Sequence, residues 1–135
     1  MKYVRVFTAP DGGSKYEDLE MKGVATRIVA GMPPLLVSSP LPVGALLFVE
    51  QLEAATDWEA HVAPRPHWVI LLSGRVEVVT SDGERREFHP GAVALFEDTT
   101  GKGHLATPLT DDVRWAMMPV AASGATEQPG TSVTK

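Results

Sequence analysis

The clearest alternation of apolar and polar positions lies in the second half of the chain. His67-Trp68-Val69-Ile70-Leu71-Leu72-Ser73 is an almost unbroken apolar run, the pattern of a strand covered on both faces. Residues 75–80 alternate with period two, and residues 85–88 return as a charged, solvent-facing strand. Between them, Ser81-Asp82-Gly83-Glu84 predicts a hairpin whose Asp-Gly pair supplies the positive φ of a type I′ turn. His89-Pro90-Gly91 predicts a turn into a strand over 92–96, and a loop from Glu97 to Gly103 leads to a strand over 104–107. A last strand is expected over 113–120, after the turn at Thr110-Asp111-Asp112.

The first half is less regular. Residues 2–7 alternate as a strand, Pro10-Asp11-Gly12-Gly13 makes a turn, and residues 16–22 read as a short, charged edge strand. Residues 43–51 predict another strand, with Leu47 and Val49 on one face and Leu46, Phe48 and Glu50 on the other, followed by a polar connection over 52–57. The 28–49 stretch is apolar and long enough to cross a bilayer, but Pro33, Pro34, Pro40 and Pro42 would break a helix where lipid offers no replacement partners. It is expected to run extended, with residues 28–42 covering an apolar face, either over a barrel or against a second subunit. A homodimer is therefore expected.

Composition agrees with this picture. A chain of 135 residues with 44% hydrophobic and 21% charged positions is one ordinary globular domain, and 11 prolines and 12 glycines favour many turns over helices. Short strands at nearly regular spacing predict an all-β sandwich or barrel over residues 1–120, and the Ser/Gly/Thr/Pro-rich residues 121–135 read as a disordered tail. The absence of cysteine excludes disulfides and thiolate chemistry, so any metal would need nitrogen and oxygen ligands. A net charge of -5, with no basic cluster beyond Arg85-Arg86, argues against nucleic acid as a partner. The opening Met1-Lys2-Tyr3-Val4-Arg5-Val6 alternates like a strand and does not resemble a secretory signal, so a cytoplasmic protein is expected.

Candidate chemistry gathers around three histidines, His61, His67 and His104, which strand pairing would bring together. Imidazole is the commonest protein ligand for transition metals and the commonest general base near neutral pH. The plainer alternative is a set of interior histidines bonded to one another or to water. If His67 faces inward, Val69 and Leu71 share its side and Trp68 faces away. Glu97 and Asp98 could supply an acid/base group or an oxygen ligand, or simply satisfy backbone donors in a turn. His89 reads as solvated surface. Arg65 could meet an anionic ligand but is more simply a surface residue, and Trp58, Trp68 and Trp115 read as packing groups, although one of them could line the pocket or a dimer interface. Gly101-Lys102-Gly103 lacks the flanking residues and the helix of a phosphate loop.

Residues 61–107 resemble the two motifs of the cupin superfamily, small single-domain double-stranded β-helix (jelly-roll) barrels. With Gly74 as the glycine of the first motif, His67 takes its glutamate position, His61 its first histidine and Ala63 its second. Pro90-Gly91 and His104 match the start and end of the second motif, with Glu97-Asp98-Thr99-Thr100-Gly101-Lys102-Gly103 in place of its usual Pro-x-Gly. This form is similar to that of a subset of small bacterial cupins. The resemblance implies a lumen lined by Ala63, Val69 and Leu71, with His61, His67 and His104 as ligands of iron, manganese, nickel or zinc. It further implies catalytic roles for His67 and Glu97 in an oxygenase, isomerase or lyase acting on a small organic molecule. The competing expectation is a metal-free sensor or accessory protein that binds a small molecule without catalysis, favoured by the replacement of one ligand position with Ala63.

Overall fold

Alternation at the start of the chain is realised as β1 (Lys2–Thr8), which turns through residues 9–13 into β2 (Ser14–Glu20). There follow β3 (Gly23–Thr26), β4 (Leu35–Ser38), β5 (Leu47–Glu50), β6 (His67–Ser73), β7 (Val76–Thr80), β8 (Arg85–Phe88), β9 (Val93–Glu97), β10 (His104–Pro108) and β11 (Arg114–Pro119). The computed structural model describes residues 1–53 and 59–122, which contain no helix. The protein is therefore all-β, and none of its described residues forms a helix long and apolar enough to cross a membrane. Trp58 and all but the first two residues of the expected tail (121–135) lie outside the described residues.

Six strands form one sheet in the order β2-β1-β9-β6-β11-β5, three form a second in the order β10-β7-β8, and β3 and β4 pair with each other. The sheets do not close into a barrel; the larger one ends at β2 and β5, the smaller at β10 and β8. Register decides what faces the interior. His67 pairs with Phe96 and Pro119, Val69 with Ala94 and Met117, and Leu71 with Trp115, so successive rows of the large sheet present apolar groups on one face. On the small sheet, Ala106 pairs with Val78, and Val76 pairs with both Pro108 and Phe88. These two faces enclose the core, where Val6, Ala63, Val78, Ala94 and Phe96 are buried.

Strands from 67 onward fall where the alternation places them, to within a residue at most ends. The hairpin at 81–83 differs in type. Gly83 N donates to Thr80 O (2.9 Å), Thr80 N donates to Glu84 O (3.1 Å), and Gly83 has φ 88°, so a three-residue loop ending in a left-handed glycine replaces the two-residue type I′ turn. β5 is shorter than the expected 43–51 strand, because Gly44 N is already bonded to Pro119 O (2.8 Å) and the chain bends before Leu47. Of the two alternatives for the proline-rich stretch, covering the protein's own sheets is not what the structure shows. The stretch contributes β4 to a hairpin with β3, and its side chains do not cover a sheet face of their own chain: Ile28, Met32, Leu35 and Leu36 are all exposed.

The two sheets are tied directly by side chains, the Arg86–Asp18 pair between β8 and β2 at the surface and Tyr16 in the interior. Tyr16, beside Val6 in the β1–β2 pair, packs against the core and donates its hydroxyl to Val78 O on β7 (2.6 Å). Burial raises its pKa well above the ordinary tyrosine value, so the phenol stays protonated and keeps donating. Tyr16→Phe leaves the Val78 carbonyl without this donor, and it is expected to lower stability by about 1–2 kcal/mol in urea unfolding with no change in strand content.

Candidate functional site

A cavity of about 250 Å³ lies between the two sheets. Among the described residues that line it, all are apolar or aromatic except His61, His67 and His104. Strand parity delivers His67, Val69 and Leu71 from β6, and Ala94 and Phe96 from β9. The 61–63 segment brings His61 and Ala63, so all three expected lumen residues, Ala63, Val69 and Leu71, are in the wall. Trp68 points the other way, is buried, and packs on Tyr3 with ring centroids 5.2 Å apart. His89 is exposed beside Glu87.

Segment 61–63 is held by backbone hydrogen bonds. His61 N donates to His104 O (2.9 Å), His104 N donates to His61 O (3.0 Å), and Ala63 N donates to Asp98 O (3.0 Å). Such close approach needs a glycine beside it: Gly103 has φ 71°, and a Cβ there would lie 2.2 Å from the His61 carbonyl oxygen. The bridge leaves the His61 and His104 rings tilted against each other with centroids 5.1 Å apart.

Each imidazole is oriented through Nδ1. His67 Nδ1 donates to Arg65 O (2.9 Å) and His61 Nδ1 to Glu59 O (3.2 Å). A carbonyl can only accept, so Nδ1 carries the proton and the neutral ring keeps a lone pair on Nε2. His104 Nδ1 bonds to Asp98 Oδ2 at 2.5 Å, within a pair that is almost wholly buried. The other carboxyl oxygen, Asp98 Oδ1, is buried with no hydrogen-bond partner among the described residues. The His104 bond is thus the carboxyl's one side-chain tie, in surroundings where an unmatched polar group is costly.

Glu97, the carboxylate expected to act in catalysis, is not brought to this site. It lies on the opposite face of β9 from Phe96, and its Oε1 accepts from Arg5 Nε at 2.5 Å, with Glu17 on the other side of the guanidinium. Neither carboxylate accepts from a backbone donor among the described residues: the Glu97 backbone carbonyl accepts from Thr99 N (2.9 Å), while the Asp98 side chain turns inward to His104. Phe96 and Met117 also line the cavity and were not singled out in the sequence, and Trp115, read there chiefly as a packing group, lines it as well. The parity of residues 94 and 96 could have revealed Phe96. Trp115 and Met117 needed the β6–β11 register.

As a donor set, three imidazoles with Nδ1 already tied to protein acceptors suit a divalent transition metal, since such partners orient metal-binding histidines. The placement is less complete. His61 and His104 are adjacent, whereas His67 stacks on Phe96 (centroids 5.4 Å, planes 17° apart), and Phe96 also touches His104. Among the described residues, no three His, Cys, Asp or Glu side chains are gathered as a metal-binding group. A scan against protein-family models finds no match, and a search of curated proteins finds none either.

Burial lowers the pKa of His67 below its ordinary 6.5, with the His104 and His61 rings acting in the same direction against its hydrogen bond to Arg65 O and the more distant Asp98. The unfolded chain therefore binds this proton more readily than the folded one. The stabilisation is full above the ordinary histidine value and is lost as pH falls from there through the lowered folded value. Metal-free protein should lose stability over that window, and His67→Phe should flatten the loss in unfolding measured at stepped pH. For the buried pair, Asp98→Ala is expected to lower stability by about 2–4 kcal/mol. Asp98→Asn, which keeps an acceptor and the volume, should lower it less in the same urea titration.

Proposed function

We propose that the protein is a small cupin-type protein that binds a small, largely apolar organic molecule between its two sheets and acts on it as a metal-dependent enzyme. The observation that carries the reading is a largely apolar cavity whose titratable lining groups among the described residues are His61, His67 and His104, with Nδ1 of each ring occupied. The cavity's roughly 250 Å³ falls below the ~300–1,000 Å³ common for drug-sized ligands, which favours a compact molecule. Apolar walls would take its hydrocarbon part and exclude water, leaving its polar group to meet the Nε2 atoms.

His61 and His104 would hold the metal, with His67 as the third donor on the same cavity. Iron, manganese, nickel or zinc would supply Lewis acidity or, for a redox-active ion, dioxygen binding. Asp98 holds the His104 ring in one orientation and raises its donor strength. Oxygenase chemistry is the leading reaction class, with an isomerase or lyase behind it.

A metal-free binding protein, serving as a sensor or accessory, is the second reading. It is favoured by the stacking of His67 on Phe96, apart from the adjacent His61–His104 pair.

Metal analysis of protein purified without an affinity tag separates the two. The enzyme reading expects close to one transition metal ion per chain, a higher melting temperature when metal is restored after chelation, and loss of that metal in His104→Ala. No bound metal and no thermal shift with iron, manganese, nickel or zinc would leave the binding-protein reading alone.

A further inference from the structure

Apolar exposure on this chain is concentrated in one stretch. Of the fifteen large apolar side chains exposed among the described residues, twelve lie between Val24 and Leu52. Val24 is 71% exposed, Leu36 72% and Phe48 75%. Among the described residues β3 and β4 have only each other as strand partners, and a lone two-stranded hairpin is marginal in water. The chain on either side of this hairpin is held to the body. Met21 N donates to Met1 O (2.7 Å) before it, and after it Gly44 N donates to Pro119 O (2.8 Å) while Pro42 O accepts from Ala121 N (3.1 Å). The hairpin is thus an arm secured at both ends, with apolar side chains facing water. Next to it in sequence, β5 ends the six-stranded sheet, bonded to β11 on one side and to no strand among the described residues on the other.

We propose that the β3–β4 arm and the β5 edge are the interface with a second copy of this chain. Apolar concentration is the first argument. Twelve exposed large apolar side chains in 29 consecutive residues, most of them more than half exposed, exceed the scattered single apolar residues normal on a monomer surface and are the concentration expected where a partner buries the ~800 Å² per side of a standard interface. Charge is the second. Residues 28–49 contain no charged side chain, in a chain whose net charge is -5. Within residues 24–52 the charges are Arg27 and Glu50, the latter paired with Arg114, so a two-fold interface sets a patch of little net charge against itself and lets two acidic chains meet without strong repulsion. The unpaired backbone groups on the outer side of β5 add hydrogen-bonding capacity for a partner strand. None of residues 24–52 lines the cavity, so the interface stands or falls independently of ligand and metal binding.

Light scattering on the full chain tests the proposal. The expected mass is twice the 14.5 kDa of one chain. Leu36→Asp and Phe48→Asp should each weaken the dimer at least tenfold while leaving strand content unchanged. Phe48→Cys gives a second readout that does not depend on tolerance of a buried charge, because the chain has no other cysteine. This thiol should be protected from maleimide at high protein concentration and become labelled on dilution. A monomer at high micromolar concentration would overturn the proposal, as would a dimer that both aspartate variants leave intact or a thiol labelled equally at every concentration. A monomer that floats with neutral phosphatidylcholine vesicles would assign the patch to a lipid surface instead.

Discussion

The site end of the structure depends on how the chain crosses between its two sheets at residues 61–63. That segment bonds by backbone to His104, the first residue of β10 in the small sheet, and to Asp98, just past the end of β9 in the large one. It therefore spans the gap that an open pair of sheets would otherwise leave at this end. Gly103 permits the contact, because no side chain fits between it and the His61 carbonyl. Tyr16 supplies a second tie, from β2 to β7. With the sheets held at these points, their apolar faces enclose a cavity and are not pressed into full contact.

Polar side chains in that interior are few and each has at least one defined partner, with Asp98 Oδ1 left unmatched among the described residues. His61 and His67 spend Nδ1 on nearby carbonyls, and His104 spends it on Asp98. In an apolar setting a mobile imidazole would lose hydrogen bonds it could not recover, so these ties fix ring orientation as well as satisfying the donors. All three rings consequently present Nε2. The same low polarity that favours an organic ligand also holds His67 neutral, which is the state required to bind a metal or accept a proton.

The outer surface follows the opposite pattern. Ion pairs such as Arg5–Glu97, Arg86–Asp18 and Arg114–Glu50 lie on partly or fully exposed faces of the strands. Pairs of this kind contribute modestly in water and mainly keep those faces polar. The arm and β5 carry almost none of this charge, so the molecule has two apolar regions: one folded inward around the cavity and one turned outward.

Much of the fold was legible in the sequence, because a strand's alternation is local and glycine and proline mark the turns around it. This is why residues 67–119 divide into strands almost where the pattern places them, and why Val69 and Leu71 follow His67 into the cavity. Ala63 reached its place in the wall through the motif resemblance and not through periodicity. What the pattern could not supply was pairing between distant residues. Glu97 and Asp98 are adjacent and chemically alike, yet only β9 parity and the position of Arg5 on β1 send one outward to an ion pair and the other inward to His104. The prolines excluded a helix over 28–49, but whether that stretch would cover its own sheet or stand away from it rested on backbone bonds to β11 far along the chain. Residue type and spacing determined the strands and the candidate imidazoles; long-range register and burial decided which of them meet, because those depend on contacts that no local window of sequence contains.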